Sequence, residues 1–351
     1  MAEGKNLVGV DIGSSSIKVC LLRDGRKGLE LVRVGFASLP PQTIVDGHVM
    51  NSSAVVESLS RIFHDKKIKQ RDVAMSVSGQ SVIIRKITVP MMTAAELAEQ
   101  IQWEAEQHIP FDIKDVQIDY EVLRKRPEAS QMDLLLVAAK RDEIQDYAQL
   151  ARDAKLKPQV VDIDAFTIQN VFELSRGLPP DQTVAIINVG ASLSTLNIIA
   201  RGVSTFTRDI ANGGSFISEE IRKRLGIGFE QAEAMKCGLP EAGPVPPQVS
   251  EIMDGVIDSI AGEIQRSLDF FMATSGEAEI ARIFITGGTS KIPMLARAIE
   301  RRSRVAVEVF SPLEKIAVDA SSVDPALAAQ LGAQLSVALG LSMRKDREKR
   351  S

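Results

Sequence analysis

The 351-residue sequence predicts an α/β fold of two similar lobes around one phosphate site, and three stretches predict it. From Val8 to Ile12 an apolar, strand-like run carries Asp11 and opens into Gly13, Ser14, Ser15, Ser16 and Lys18. Gly13 lets the backbone approach an anion closely, successive N–H groups and serine hydroxyls can cradle a phosphate, and Lys18 neutralises it. Asp11 is then placed to hold a Mg²⁺ through water, since that ion keeps much of its hydration shell. An isolated Asp-x-Gly equally describes a strand and an ordinary turn; its recurrence decides. Ala185 to Gly190 is again an apolar strand, with Asn188 where the first has its acid, and Ser192 and Thr195 follow in a hydroxyl-rich turn. Two such hairpins half a chain apart imply duplicated lobes holding one ligand. Ala281 to Ser290 supplies the third stretch, a strand running into Gly287-Gly288 where backbone can approach a nucleoside unobstructed.

The elements follow in order. Asn6 to Gly35 reads as a three-strand meander, with Asp24-Gly25 making the second hairpin. Asn51 can cap a helix whose Val55, Val56, Leu59, Ile62 and Phe63 share a face, and Arg71 to Val77 returns as a strand, the crossover of an α/β lobe. Ile83 to Val89 is strand-like up to Pro90; Thr93 caps a helix from Ala94 to His108, with Leu97, Ile101 and Ala105 on one stripe and Pro110 as its stop. Trp103, the only tryptophan, is expected to be partly buried in that packing. Strands Val116 to Leu123 and Met132 to Lys140, parted by a charged loop from Arg124 to Ser130, and a helix from Arg141 to Ala154 complete a βαββα unit. A helix beginning at Asp164 links to the second meander, Thr183 to Asp209, whose hairpin is Arg201-Gly202. Gly213-Gly214 lead the next helix. Val249 to Thr274 is a long buried helix: Ile252, Val256, Ile260, Ile264, Leu268 and Phe271 repeat at near-heptad spacing without flanking charge pairs. Pro325 to Leu341, rich in alanine, is expected to pack as one helix into the second lobe, and the basic stretch from Arg344 to Ser351 is read as a frayed tail.

Composition removes several classes. With 44% hydrophobic residues the chain can bury a large core, and its length favours two lobes over one. A net charge of −4 and 4% aromatic residues leave neither a basic footprint nor a stacking platform for nucleic acid. No run approaches the roughly 18 apolar residues that span a bilayer, and none has a signal peptide's pattern, so a cytoplasmic protein without direct membrane insertion is expected. Cys20 and Cys237 lack metal-ligand spacing and are read as reduced and structural. His48, His64 and His108 lie far apart with no nucleophile pattern around them.

The two phosphate hairpins, the linking helix after Val161 to Phe166, the Gly213-Gly214 entry and Ile285 to Thr289 together resemble the actin, Hsp70 and sugar-kinase fold, over nearly the whole chain. Ile101 to Phe111 with Gln117 to Leu123 is similar to the PilM family of type IV pilus assembly. That resemblance implies a duplicated actin-like (ribonuclease H-like) two-lobe ATPase fold, with a βαββα-type interaction subdomain inserted in the first lobe. Residues 1–84 and about 158–180 would form the first lobe, 85–157 the insertion, 181–212 with 276–341 the second-lobe core, 213–275 its outer subdomain and 342–351 the tail. The resemblance further implies ATP and Mg²⁺ held by Asp11, Gly13, Ser14, Ser15, Ser16, Lys18, Gly190, Ser192, Gly213, Gly214, Gly287, Gly288 and Ser290, with Lys223 at the ribose. Asp164 sits where relatives place a water-orienting residue and equally reads as a helix N-cap.

Asn188 departs from the pattern of paired acids: an amide coordinates without lending charge to a hard cation, which puts Mg²⁺ affinity and hydrolysis in doubt. At most a slow ATPase is expected. By the same resemblance the partner is the N-terminal cytoplasmic segment of a PilN-like membrane protein, which would hold the chain peripherally at the inner membrane and link it to pilus motor ATPases and the inner-membrane platform. The alternative reading is an FtsA-like division anchor, although the tail lacks the apolar face of a membrane-binding helix. Sugar or acetate kinases share the fold but require an acceptor pocket with a catalytic base, which no acid pattern here specifies. A filament, homo-oligomer or ring is left open by the sequence.

Overall fold

The structure, a computed structural model, describes residues 4–26, 28–276 and 279–346; the end of the predicted tail lies outside the described residues. The chain runs β1 (Val8–Ile12), β2 (Ser16–Gly25), β3 (Gly28–Ser38), β4 (Ile44–Val45), β5 (His48–Val49), α1 (Ser52–Asp65), β6 (Asp72–Val77), β7 (Val82–Pro90), α2 (Ala94–Glu106), β8 (Val116–Arg126), β9 (Gln131–Lys140), α3 (Arg141–Asp153), β10 (Lys157–Ile163) and α4 (Asp164–Arg176). It continues with β11 (Thr183–Val189), β12 (Ser194–Ala200), β13 (Val203–Ile210), α5 (Gly214–Leu225), α6 (Phe229–Cys237), α7 (Gln248–Ser275), β14 (Ile280–Thr286), α8 (Pro293–Ser303), β15 (Val307–Val309), β16 (Ala317–Val318), α9 (Pro325–Leu331) and α10 (Ser336–Ser342).

The duplication is explicit in the sheets. In one the strand order is β10-β6-β1-β2-β3-β16, and in the other β15-β14-β11-β12-β13. Each has an antiparallel meander whose first strand pairs in parallel with the next strand of its lobe. The registers match too: Asp11 faces Lys18 across the first hairpin, and Asn188 faces Thr195 across the second. β1 is buried along its whole length, as expected of a central strand with helices on both faces. Arg201 and Gly202 both adopt positive φ, the backbone a tight two-residue hairpin requires. In the first meander β2 runs through the predicted Asp24-Gly25 turn to pair Gly25 with Gly28, which moves the hairpin past it.

α1 and α3 cover one face of the first sheet through Val55, Leu59, Phe63, Tyr147, Leu150 and Ala151. α4 lies between the two sheets: Ile168, Val171 and Phe172 pack with Cys20 and Ala74 of the first lobe and with Ile186, Ile199 and Phe284 of the second. α7 buries Ile252, Ile260, Ile264, Leu268 and Phe271 in the second-lobe core, as its periodicity predicts. The inserted three-stranded sheet, ordered β7-β9-β8, carries α2 on one face with its own core of Leu97, Ile101, Met132 and Leu134. Since α3 packs on the first lobe, the unit sharing that separate core is β7-α2-β8-β9.

Four local expectations are corrected. The Ala-rich end is not one helix in the second lobe: Gly332, at φ +35°, breaks it, and α10 packs on α4, β1 and β2 of the first lobe. Small residues do permit the close approach, but at both partners. A Cβ on Gly9 would meet the Ala338 carbonyl oxygen at 2.0 Å, and one on Gly340 the Thr167 oxygen at 2.0 Å. Trp103 is 75% exposed, because Leu97, Ile101 and Ala105 take the opposite face of α2. That helix ends at the Gln107 cap, short of the expected His108; its last i→i−4 bond is from the Ile109 N–H to the Ala105 carbonyl, and Pro110 has no N–H to make the next. Finally, the charged segment predicted as loop extends β8 to Arg126, whose guanidinium reaches Asp133 on β9 at 2.6 Å.

Candidate functional site

Both phosphate hairpins open onto one cavity of about 150 Å³ between the lobes. Asp11, Gly13, Ser14, Ser15 and Lys18 line it from the first lobe, Asn188, Gly190 and Ser192 from the second, with Gly287, Gly288 and Asp164 completing the predicted set. The hairpins touch: the Ser192 hydroxyl donates to Ser14 Oγ at 2.8 Å across the cleft. Lys18 Nζ lies 3.2 Å from Asp11 Oδ2 and 3.4 Å from the Ser16 carbonyl, so the lysine balances the charge of the acid.

The remaining predicted residues stand behind the surface or away from it. Ser16 is buried at the start of β2, where its carbonyl accepts the Gly13 N–H at 3.1 Å and shapes the turn. Gly213 and Gly214 brace the second hairpin. The N–H groups of Gly214 and Ser215 donate to the Gly190 and Ala191 carbonyls at 2.9 and 2.8 Å, and a Cβ on Gly213 would fall 2.6 Å from the latter oxygen. Ser290 is buried and donates to the Gly287 carbonyl at 2.7 Å. Lys223 does not line the cavity; it is exposed on α5, with its ammonium 3.4 Å from Glu220. The helical spacing of a mixed-charge stretch left its facing undetermined.

Asp164 is the first residue of α4 and not its cap; Ile163 occupies that position without a side-chain hydrogen bond. Its Oδ1 accepts from Ser76 Oγ at 2.5 Å. Burial first, and the nearby Asp11 charge second, push the Asp164 carboxyl up to about 7, against the lowering effect of the Ser76 and Ser78 hydroxyls. Below neutral pH it is therefore largely a proton holder rather than a base.

Thr195 of the second hairpin also lines the cavity, and several lining residues carry no motif of the predicted kind: Tyr147, Gln334, and the run Ser76, Val77, Ser78, Gly79 and Gln80 at the end of β6 and just beyond it. That last run is a serine- and glycine-rich turn directly after an apolar strand, the same signal that marks the two phosphate hairpins. Tyr147 donates to the Gly47 carbonyl at 3.2 Å. Gln334 reaches the site only because the chain end folds back across the lobes, a placement no local pattern encodes.

The cradle fits a phosphate chain. A Cβ on Gly13 would come within 3.0 Å of Lys18 Nζ, and one on Gly287, where φ is +90°, within 2.4 Å of Asn188 Oδ1, so side chains there would fill the space the hairpins leave. The hydroxyls of Ser14, Ser15 and Ser192 and the Lys18 ammonium form a donor set suited to phosphate oxygens. No cluster of three or more His, Cys, Asp or Glu residues able to hold a metal occurs among the described residues. A Mg²⁺ would have to be held largely by water and by the ligand itself.

A family model described as type IV pilus assembly protein PilM matches residues 9–346 of the chain. Among solved structures, a PilM–PilN type IV pilus biogenesis complex is similar with a TM-score of 0.86 and 26% identity, over 99% of this chain and all of the other. The cell division protein FtsA of Streptococcus pneumoniae serotype 2 (strain D39 / NCTC 7466) is 21% identical over 358 residues, 89% of this chain and 77% of that protein. MreB5 of Spiroplasma citri bound to ADP is similar with a TM-score of 0.53 and 12% identity, over 97% of this chain and 95% of the other, a likeness of fold alone.

Proposed function

The chain belongs to the type IV pilus assembly PilM family, and from that premise we propose that it is an ATP-binding scaffold of the pilus assembly complex. The observation that carries the reading is the hydrogen bond between Ser14 and Ser192, which sets two duplicated phosphate hairpins face to face. A bound triphosphate would replace that contact with bonds from both hairpins to itself, and so favour one lobe arrangement over another. Asp11 and Asn188, at matching strand positions of the two lobes, would hold Mg²⁺ through water; the bound ion would neutralise phosphate charge. Lys18 would transfer its charge from Asp11 to the phosphates. Asp164 is only partly ionised near neutral pH, and Asn188 lends the metal no charge, so the reading is of binding rather than rapid hydrolysis.

The partner we propose is the N-terminal cytoplasmic segment of a PilN-like membrane protein, and the support is the similarity to a PilM–PilN complex. No helix among the described residues is long and apolar enough to cross a membrane, so such a segment would supply the attachment to the inner membrane. Contacts with motor ATPases and self-assembly belong to the same proposal as further links. Titration calorimetry with ATP and Mg²⁺ tests the site directly. Asp11→Ala is expected to weaken binding at least tenfold, about 1.4 kcal/mol; unchanged affinity would remove the nucleotide from this cleft.

A further inference from the structure

Asp209, at the end of β13, has no role in the reading above. It lies in the second lobe, yet its Oδ2 accepts the backbone N–H of Gly79 in the first lobe at 2.6 Å. The residue is partly buried, and its other oxygen, Oδ1, is shielded from solvent beside the Thr195 hydroxyl without a partner at good hydrogen-bond geometry. Burial raises its carboxyl above the ordinary range, with the Thr195 hydroxyl and the Gly79 N–H pulling the other way. Satisfying a single amide does not require a carboxylate, and leaving one of its oxygens shielded and poorly partnered is destabilising. Such a group calls for a reason beyond local stability.

The location supplies that reason. Gly79 sits in the turn Ser78 to Ser81, which joins β6 to β7 and forms one of the two roots of the inserted subdomain. The other root is the junction of β9 with α3, and the two are pinned together by the Lys140 N–H donating to the Ser81 carbonyl at 3.1 Å. The same turn is a wall of the cleft, and so is Thr195, the strand neighbour of Asp209. Its first-lobe side is fixed by Ser76 donating to Asp164. Gly79, at φ +92°, takes a backbone conformation that other residues adopt only with strain, and this turn aims its N–H at Asp209. β13 also packs against β7. A change in lobe separation must therefore either break the Asp209–Gly79 bond or drag the root of the subdomain with it.

We propose that Asp209 is a positioning residue that latches the second lobe to the root of the inserted subdomain, so that what fills the cleft sets how that subdomain sits. This rests, for the identity of the cleft ligand, on the nucleotide reading given above. The latch is the differential contact through which a ligand at one site biases a distant surface.

Two intrinsic probes report it in the full chain. Trp103, the sole tryptophan, is exposed on the inserted subdomain, and Cys237 is exposed on the second lobe while Cys20 is buried. Energy transfer from Trp103 to a dye on Cys237 reads the distance between the two bodies, with ATP binding measured in parallel by calorimetry. In ligand-free Asp209→Ala the transfer differs from wild type, and its response to ATP is smaller by about fivefold or more. Asp209→Asn keeps an acceptor oxygen for the Gly79 N–H and restores wild-type behaviour. Identical transfer in ligand-free wild type and Asp209→Ala overturns the latch, whatever ATP does. So does an Asn variant that behaves as Ala, or wild-type transfer that stays fixed while ATP binds. Absence of ATP binding overturns the nucleotide reading instead, and leaves the ligand-free comparison to decide the latch.

Discussion

At the scale of single residues, Asp164 makes stability depend on pH. Its carboxyl titrates near 3.8 in the unfolded chain and at about 7 in the folded one. Between those values the folded state holds a proton that the unfolded chain has released, so stability falls as pH rises through that window; the loss is complete above the folded value. Asp164→Asn keeps an oxygen for Ser76 and removes the charge. It is expected to raise the melting temperature at pH 8 by about 2 °C or more, with the gain vanishing near pH 4. An equal gain at both would assign the effect to packing. Asp11 and Lys18 belong to the same scale: their ion pair is the charge store that a phosphate would tap, and Lys18→Met, which leaves Asp11 without its counter-charge, is expected to reduce ATP affinity about tenfold by titration.

Among elements, the placement of α10 is the most consequential contact in the fold. Ser342 at its end donates to the Leu7 carbonyl at 3.0 Å and accepts the Leu22 N–H at 2.8 Å, which ties the helix to β1 and β2. Gly340 against the Thr167 backbone is the tightest point, and the obstacle to a side chain there is main chain, which cannot step aside as a flexible side chain can. Gly340→Ala is expected to destabilise by about 1–3 kcal/mol or more, read as a lower denaturation midpoint with an unchanged slope. The strands were the more legible elements. Alternation and punctuation placed both meanders, and Asn51 and Thr93 marked two helix starts that the structure keeps, each with its side-chain oxygen accepting a backbone N–H of the first turn. What misread was facing: Trp103 sits on a helix whose sides are settled by the surface that packs against it.

For the whole molecule, the prediction concerns the insertion, which has its own core around Leu97, Ile101, Met132 and Leu134. A deletion of residues 85–157 would remove Tyr147, Leu150 and Ala151 from the first-lobe core, whereas excision of 82–139 joins Ser81 to Lys140, two ends already bridged by a hydrogen bond. The excised protein is expected to keep ATP binding and to lose a PilN-like peptide in a pull-down; retention of the peptide would move its site to the lobes. In the intact protein, ATP and peptide should each change the other's affinity by the same factor, since linkage between two binding sites is reciprocal.

By itself the sequence determined the duplicated hairpins, the order of strands and helices, and the chemistry of the cleft, because each is encoded within a few neighbouring residues: an apolar run, a glycine, a set of hydroxyls. Only the tertiary structure decided which lobe α10 closes, that Gln334 lines the cavity, and that Asp209 reaches Gly79 from 130 positions away. Those contacts depend on how two sheets sit around α4, a relation set by packing over the whole core and by no local period in the chain.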